Sequence, residues 1–155
     1  MSSNVQFFQK TIKIPAKSRG FHIITNNITK GFPEIQKIQM GMLNVFLMHT
    51  SASLTINENC CSEVREDMKN HFRRTIPDHN EGVKYLHSYE GNDDQSAHIK
   101  SSELGVSLTI PIHNGSLGLG TWQGIYLGEH RSSSGGRKVM CTAYGQTFQE
   151  KNKKK

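Results

Sequence analysis

The sequence predicts an α+β fold: one β-rich domain carrying two or three short helices. Three observations predict it. Apolar and polar residues alternate in several short segments, most clearly in Val106-Ser107-Leu108-Thr109-Ile110-Pro111-Ile112, which is the period of a half-buried strand. Other segments carry helix-terminal chemistry and apolar residues near helical spacing. The 155 residues show no internal repeat and no linker, and they suffice to bury one core without disulfide or metal staples. The domain is read as residues 1–148, followed by a Lys-rich tail at 149–155.

Taken in order, residues 5–14 alternate weakly and end at Pro15, which stops a strand. Gly20 opens a second strand, Phe21 to Thr25. Asn26 and Asn27 are N-cap candidates for a short helix whose apolar face is Ile28, Phe32, Ile35 and Ile38, with Pro33 in its early turns. Met42 to Met48 is apolar at most positions, so it is read as a strand buried on both faces. Leu54 to Ile56 continues as extended chain. Asn57 is placed as the cap of a helix from Glu58 to Arg74, which has acidic residues early, Arg73 and Arg74 late, and Val64, Met68, His71 and Phe72 inward.

Residues 77–94 have no periodic pattern, and a loop this long in a compact domain is more often functional than not. Residues 95–103 form a short helix ended by Gly105. Val106–Ile112 and Trp122–Leu127 then read as a strand pair. His113-Asn114-Gly115 supplies turn chemistry between them, because Asn and Gly tolerate positive φ. Ser132–Gly136 is read as a hairpin loop. It leads to a last strand from Arg137 to Tyr144, with Val139 and Cys141 on one face and Met140 and Thr142 on the other.

Composition excludes several classes. Apolar residues make up 34% of the chain, which is not disordered composition. No apolar run reaches the roughly 20 residues that span a bilayer, and the N-terminus lacks the pattern of a signal peptide. A cytoplasmic protein without a membrane partner is expected. Three cysteines, none in CxxC spacing, fit a reducing compartment. Much of the net charge of +6 lies in the Lys-rich tail, and no nucleic-acid motif accompanies it, so a nucleic-acid partner is not expected.

Eight histidines are many for this length. His49 follows a strand, His87 lies in the long loop, and His98 opens a helix behind Asp93 and Asp94. Glu129, His130 and Arg131 close another strand, and strand ends are where a scaffold presents functional groups. Three histidines with an open position would make a catalytic-type metal site. There is no HxH or HExxH spacing, so this reading depends on the fold bringing His49, His87 and His98 together. A second reading places an anion among the same residues. Lys100, Arg131 and Arg137 would hold phosphate, and Gly115–Gly120 would offer backbone N–H groups. Histidine and Glu129 would then act as acid and base, with Ser51 and Ser53 as hydroxyl donors.

The segments His49-Thr50-Ser51-Ala52-Ser53-Leu54, Asn57-Glu58, Asp93-Asp94, Ala97-His98-Ile99-Lys100-Ser101, Gly118-Leu119-Gly120-Thr121-Trp122-Gln123-Gly124-Ile125 and Glu129-His130-Arg131 resemble the motifs of the YjbQ-like family. The likeness runs from about Gln6 to Gly145. It implies a jelly-roll-like β sandwich that assembles as a homotrimer. It also implies a weak thiamine-phosphate synthase activity, which joins hydroxymethylpyrimidine diphosphate to thiazole phosphate. Catalytic roles would fall to His49, His98 and Glu129. A small phosphorylated substrate would meet Ser51, Asp94, Lys100, Trp122, Gln123, Arg131 and Arg137. His49, His87 and His98 would hold a divalent metal, zinc or magnesium. A metal-dependent hydrolase and a non-catalytic anion-binding protein are alternatives that would use the same pocket.

Overall fold

A computed structural model describes residues 5–149. The Lys-rich run at 151–155 lies outside the described residues. Eight strands form two antiparallel sheets. The larger contains β1 (Val5–Ile14), β3 (Ile38–Leu47), β5 (Ser107–His113), β6 (Ser116–Leu117) and β8 (Arg137–Thr147), in the order β1-β8-β3-β5-β6. The smaller is β2-β7-β4, built from β2 (Gly20–Ile23), β7 (Gln123–Glu129) and β4 (Ala52–Glu58). Their facing sides meet in one core that includes Leu43, Val45 and Leu47 of β3, Ile110 and Ile112 of β5, Val139 and Cys141 of β8, and Leu54, Ile125 and Leu127 of the smaller sheet. The fold is therefore the α+β sandwich that the sequence predicts.

The helices are α1 (Thr25–Gly31), α2 (Ser62–Thr75) and α3 (Asp94–Leu104), with a 3-10 turn at Pro33–Lys37. Ile28, Phe32, Ile35 and Ile38 are all buried, as their spacing predicts. They do not lie on one helix, because Pro33 starts the separate 3-10 turn. α2 lies against β2, where Phe72 meets Phe21 with ring centroids 5.9 Å apart. Val64, Met68 and Phe72 are half-buried, but His71 of the predicted inward stripe is exposed. α3 packs on β4, and Ser101 donates to the carbonyl of Ala52 at 2.7 Å.

Four expectations are corrected. Asn57 and Glu58 do not open a helix; they pair with Gly124 and Gln123 as the end of β4, and α2 begins at Ser62 after Cys61. β3 is buried on one face only, with Met40 64% and Phe46 45% exposed on the other. The turn at Asn114-Gly115 has positive φ at both residues as predicted, but it joins β5 to the two-residue β6. β7 pairs with β2 and β4 in the opposite sheet, so β5 and β7 are not a hairpin. For the same reason Ser132–Gly136 is a crossover between sheets, since β8 pairs with β1 and β3.

Candidate functional site

The crossovers place the chemistry. β3 ends beside β8, and His49, Thr50 and Ser51 follow it. β7 ends at Glu129 next to the start of β8 at Arg137. α3 lies across β4 and brings Asp94 and His98 to the same end of the sandwich. A cleft of about 730 Å³ opens there, with His49, Thr50 and His98 on its polar side and Phe46, Met48 and Val106 on its apolar side.

Asp94 is the centre of the polar group. It is 1% exposed. His87 Nε2 lies 2.7 Å from its Oδ2, and His98 Nε2 lies 3.2 Å from the same oxygen. Arg131 binds Oδ1 of Asp94 through Nη1, Oδ1 of Asp93 through Nε at 3.1 Å, and the carbonyl of Glu90 through Nη2 at 2.7 Å. Burial alone would push the Asp94 carboxyl up, but the His87 hydrogen bond and the Arg131 charge hold it below its ordinary value. His98 Nδ1 donates to the carbonyl of Thr50 at 2.9 Å. In the neutral ring Nε2 then carries a lone pair, and it faces a carboxylate oxygen. Two acceptors at that distance repel unless a proton or a metal cation lies between them. Glu90 completes the group. One ligand atom from each of His87, Glu90, Asp94 and His98 lies within 4.8 Å of the other three.

His49 is not in that group, which corrects the predicted trio of histidine ligands. Its Nε2 accepts the backbone N–H of Lys138 at 2.8 Å, and its Nδ1 faces Arg137 Nη1 at 3.4 Å. Burial and the Arg137 charge lower its pKa, so the ring is neutral with its acceptor nitrogen engaged. Asp94 takes the place expected of His49. Glu129 is fully buried and bonded by Arg137 Nε at 2.7 Å, Arg137 Nη2 at 2.6 Å and Arg131 N at 3.1 Å. Burial opposes its ionisation, yet these donors hold its pKa below the ordinary value. Ser51 Oγ accepts from Arg137 Nη2 at 3.1 Å. His49, Ser51, His87, Asp94, His98, Glu129, Arg131 and Arg137 thus form one connected polar network. Glu129 and Arg137 serve as its frame, and Arg131 and Arg137 are both paired with carboxylates inside it.

Three predicted residues lie elsewhere. Trp122 and Gln123 are at the start of β7, about 23 Å of strand from Glu129 at about 3.3 Å per residue. Trp122 is 63% exposed there, and Gln123 Oε1 accepts the N–H of Gly120. Within the protomer Trp122 does not wall the cleft, and Gly115–Gly120 lie at that far end with it. Lys100 is two residues from His98 on α3, so it points to the opposite side of the helix, where it lies 3.8 Å from Asp78. Sequence reasoning missed Glu90 as a member of the cluster and Thr50 as the group orienting His98. The i, i+4 spacing of Asp94 and His98 would have paired them on one helix face. No comparable signal marks Glu90 or the Thr50 carbonyl.

Comparison with known proteins agrees with this architecture. A family model described as "UPF0047 protein YjbQ-like" matches residues 10–146. The chain is 51% identical over 140 residues to the UPF0047 protein YjbQ of Salmonella typhimurium, covering 90% of this chain and 99% of that one. It is 38% identical to a UPF0047 protein of Synechocystis over 138 residues, covering 89% and 92%. A YbjQ-like protein of Sulfolobus solfataricus has the same fold, with TM-score 0.79 at 20% identity, covering 92% of this chain and all of that one. A yjbq/upf0047 family protein of Clostridium acetobutylicum superposes with TM-score 0.67 at 36% identity, covering 86% and 97%. Seen with the eight-stranded sandwich, these matches establish that the chain belongs to the YjbQ-like UPF0047 family.

Proposed function

We propose that the chain is a metal-dependent enzyme acting on a small phosphorylated molecule, with His87, Asp94 and His98 as ligands of a divalent metal and Glu90 at the open side. One observation carries this reading. The Thr50 carbonyl turns Nε2 of His98 onto a buried carboxylate oxygen that His87 already faces. A hydrogen bond to the remote ring nitrogen is the usual device that orients a metal-binding histidine. Two imidazoles and a carboxylate suit zinc or a neighbouring transition metal better than magnesium, which prefers all-oxygen surroundings. Such a metal would supply Lewis acidity to a phosphoryl or carbonyl oxygen.

The chain's own residues do the rest. Arg131 fixes Asp94 and Asp93 from behind. The Glu129–Arg137 pair holds the His49–Ser51 segment, and with it the Thr50 carbonyl, in place. Glu90 is exposed on the open side, 3.6 Å from His87 Nε2, where a carboxylate can accept a proton from substrate or water. Phe46, Met48 and Val106 offer an apolar wall for a flat ring. That wall, and room for two small substrates, support the weak thiamine-phosphate synthase activity that family membership suggests. Arg131 and Arg137 are paired with carboxylates, and Arg137 Nη1 is turned towards His49. A hydrolytic activity, or capture of an anion without turnover, would use the same cleft. The open apolar face of the larger sheet supports a homotrimer.

The deciding measurement is the metal content of protein purified without chelator. Wild type should hold about one equivalent of a transition metal. Asp94→Asn and His98→Ala should lose it, while His49→Ala should keep it. A metal-free wild type, or retention in His98→Ala, would overturn the assignment. Turnover of hydroxymethylpyrimidine diphosphate with thiazole phosphate, and rescue of a thiamine-requiring strain, then separate the synthase from a hydrolase and from a simple binder.

A further inference from the structure

Behind α3, on the side away from the cleft, lies a smaller cavity of about 60 Å³. Its lining is rich in cations: Arg19, Lys69, Arg73 and Lys100, set against Phe21 and Phe72. Lys100 is 2% exposed. Its ammonium makes no hydrogen bond among the described residues, and the only carboxylate oxygen within 4 Å is Asp78 Oδ1 at 3.8 Å. That oxygen is already engaged, because Arg19 grips Asp78 with both terminal nitrogens and Ser96 Oγ donates to Oδ1 at 2.5 Å. A largely buried ammonium whose nearest acceptor is distant and already engaged is favoured by a ligand that brings another acceptor.

The other charges leave room for one. Lys69 pairs with Glu66, and Arg73 with Glu81, each at 3.2 Å and on exposed side chains. Such surface pairs are weak and readily exchanged. Glu129 reaches the cavity, but both its oxygens are bonded by Arg137. The Lys69 stem lies over Gly20, at 3.5 Å from where a Cβ would stand, so its ammonium can swing across the mouth.

We propose that this cavity is a second binding site, for a single phosphate-sized oxyanion held by Lys100 at its base and by Arg19, Lys69 and Arg73 around it. The volume admits a group of a few heavy atoms and excludes a nucleotide or a sugar. α3 carries Lys100 on one side and Asp94 and His98 on the other. An anion bound here therefore stiffens the helix that presents the candidate metal ligands, and the site stands whether or not the metal assignment does. The ligand is either free inorganic phosphate or the terminal phosphoryl group of a monoester whose body leaves between Lys69 and Arg73.

The test is thermal unfolding in rising inorganic phosphate, with sodium chloride at matched ionic strength as the reference. A saturable rise in Tm is expected with phosphate. Glycerol phosphate is run in parallel: a response to it alone identifies the monoester, and a response to phosphate identifies the free ion. Lys100→Met should lose the rise and keep or gain stability without phosphate, because it removes a largely buried charge whose one ion-pair partner is distant. Lys69→Ala/Arg73→Ala, on the exposed side of α2, should bind several-fold more weakly, and it serves if Lys100→Met does not fold. His98→Ala should respond like wild type. The proposal is overturned by no saturable rise with either ligand, by a full response in Lys100→Met or in the α2 double variant, or by loss of the response in His98→Ala.

Discussion

Glu129 and Arg137 are each other's main partners and both are buried, and that makes their contribution measurable. Glu129→Gln leaves the guanidinium buried without its counter-charge, and it should cost about 3–5 kcal/mol in urea unfolding. Adding Arg137→Met should recover part of the loss, since both charges are then gone. A loss below about 1 kcal/mol for the single variant would mean that water screens the pair. His130 makes a pH prediction. Burial, then the Lys100 charge, push its pKa down to about 3, and its Nε2 lies 2.8 Å from Ser53 Oγ. Below its ordinary value near 6.5 the unfolded chain takes up a proton that the folded chain refuses. Its contribution to stability is therefore complete above that value and is lost as pH falls towards 3, at up to about 1.4 kcal/mol per pH unit. His49, also shifted down, adds in the same direction. Asp78, Asp94 and Glu129, held low, contribute losses only below their ordinary values near 4. His130→Gln should accordingly flatten the decline between about pH 6.5 and 4.5 in urea midpoints. An unchanged slope refutes the assignment. Residue identity made much of this site legible, because histidines and carboxylates at strand ends and in a long loop are few enough to name. It could not reveal that His49 is turned to the Lys138 N–H, a contact across 89 positions, or that Trp122 lies at the wrong end of its strand.

Elements were legible where local chemistry decides them, and misread where a partner strand does. α3 and its Gly105 stop, the Asn114-Gly115 turn, and the inward Val139 and Cys141 of β8 follow from spacing and backbone preference alone. Asn57 has the chemistry of a helix cap, yet pairing with Gly124 keeps it in β4. β3 is not buried on both faces because its outer side chains, Met40 and Phe46, are apolar but exposed. β3 also makes a prediction about close approach. Gly41 stands opposite Gly145 of β8, and a Cβ on Gly41 would overlap the Tyr144 carbonyl and lie 2.8 Å from Gly145 Cα. Backbone cannot yield as a side chain does. Gly41→Ala should therefore cost at least about 2 kcal/mol in chemical denaturation. Gly135→Ala, where a Cβ meets nothing within 4 Å, is the control and should stay within about 0.5 kcal/mol. Equal effects at the two positions would disprove the contact.

At the scale of the molecule, the two sheets are covered unequally. The smaller sheet has α2 and α3 on its outer side. The larger presents Val5, Phe7, Met40, Phe46 and Tyr144 outward, all at least 41% exposed, with Phe7 stacked on Tyr144 at 5.6 Å. Apolar side chains in that number on one sheet face exceed the scatter of a solvated surface, and such faces are the kind that associations use. A stable association buries about 800 Å² per partner, an area that one face of a five-stranded sheet can provide. Closed rotational symmetry is the ordinary way for identical chains to use such a face without forming fibres. Phe46 belongs both to this face and to the cleft wall, so copies meeting here would narrow the cleft beside His49 and His98. A homotrimer is expected, with a mass near three chains by light scattering at micromolar concentration. Phe7→Lys with Met40→Lys should shift the mass towards one chain while the far-UV spectrum stays unchanged, because both side chains lie outside the core. A wild-type mass of one chain, or a trimer indifferent to both charges, would show that this face is not where the copies meet.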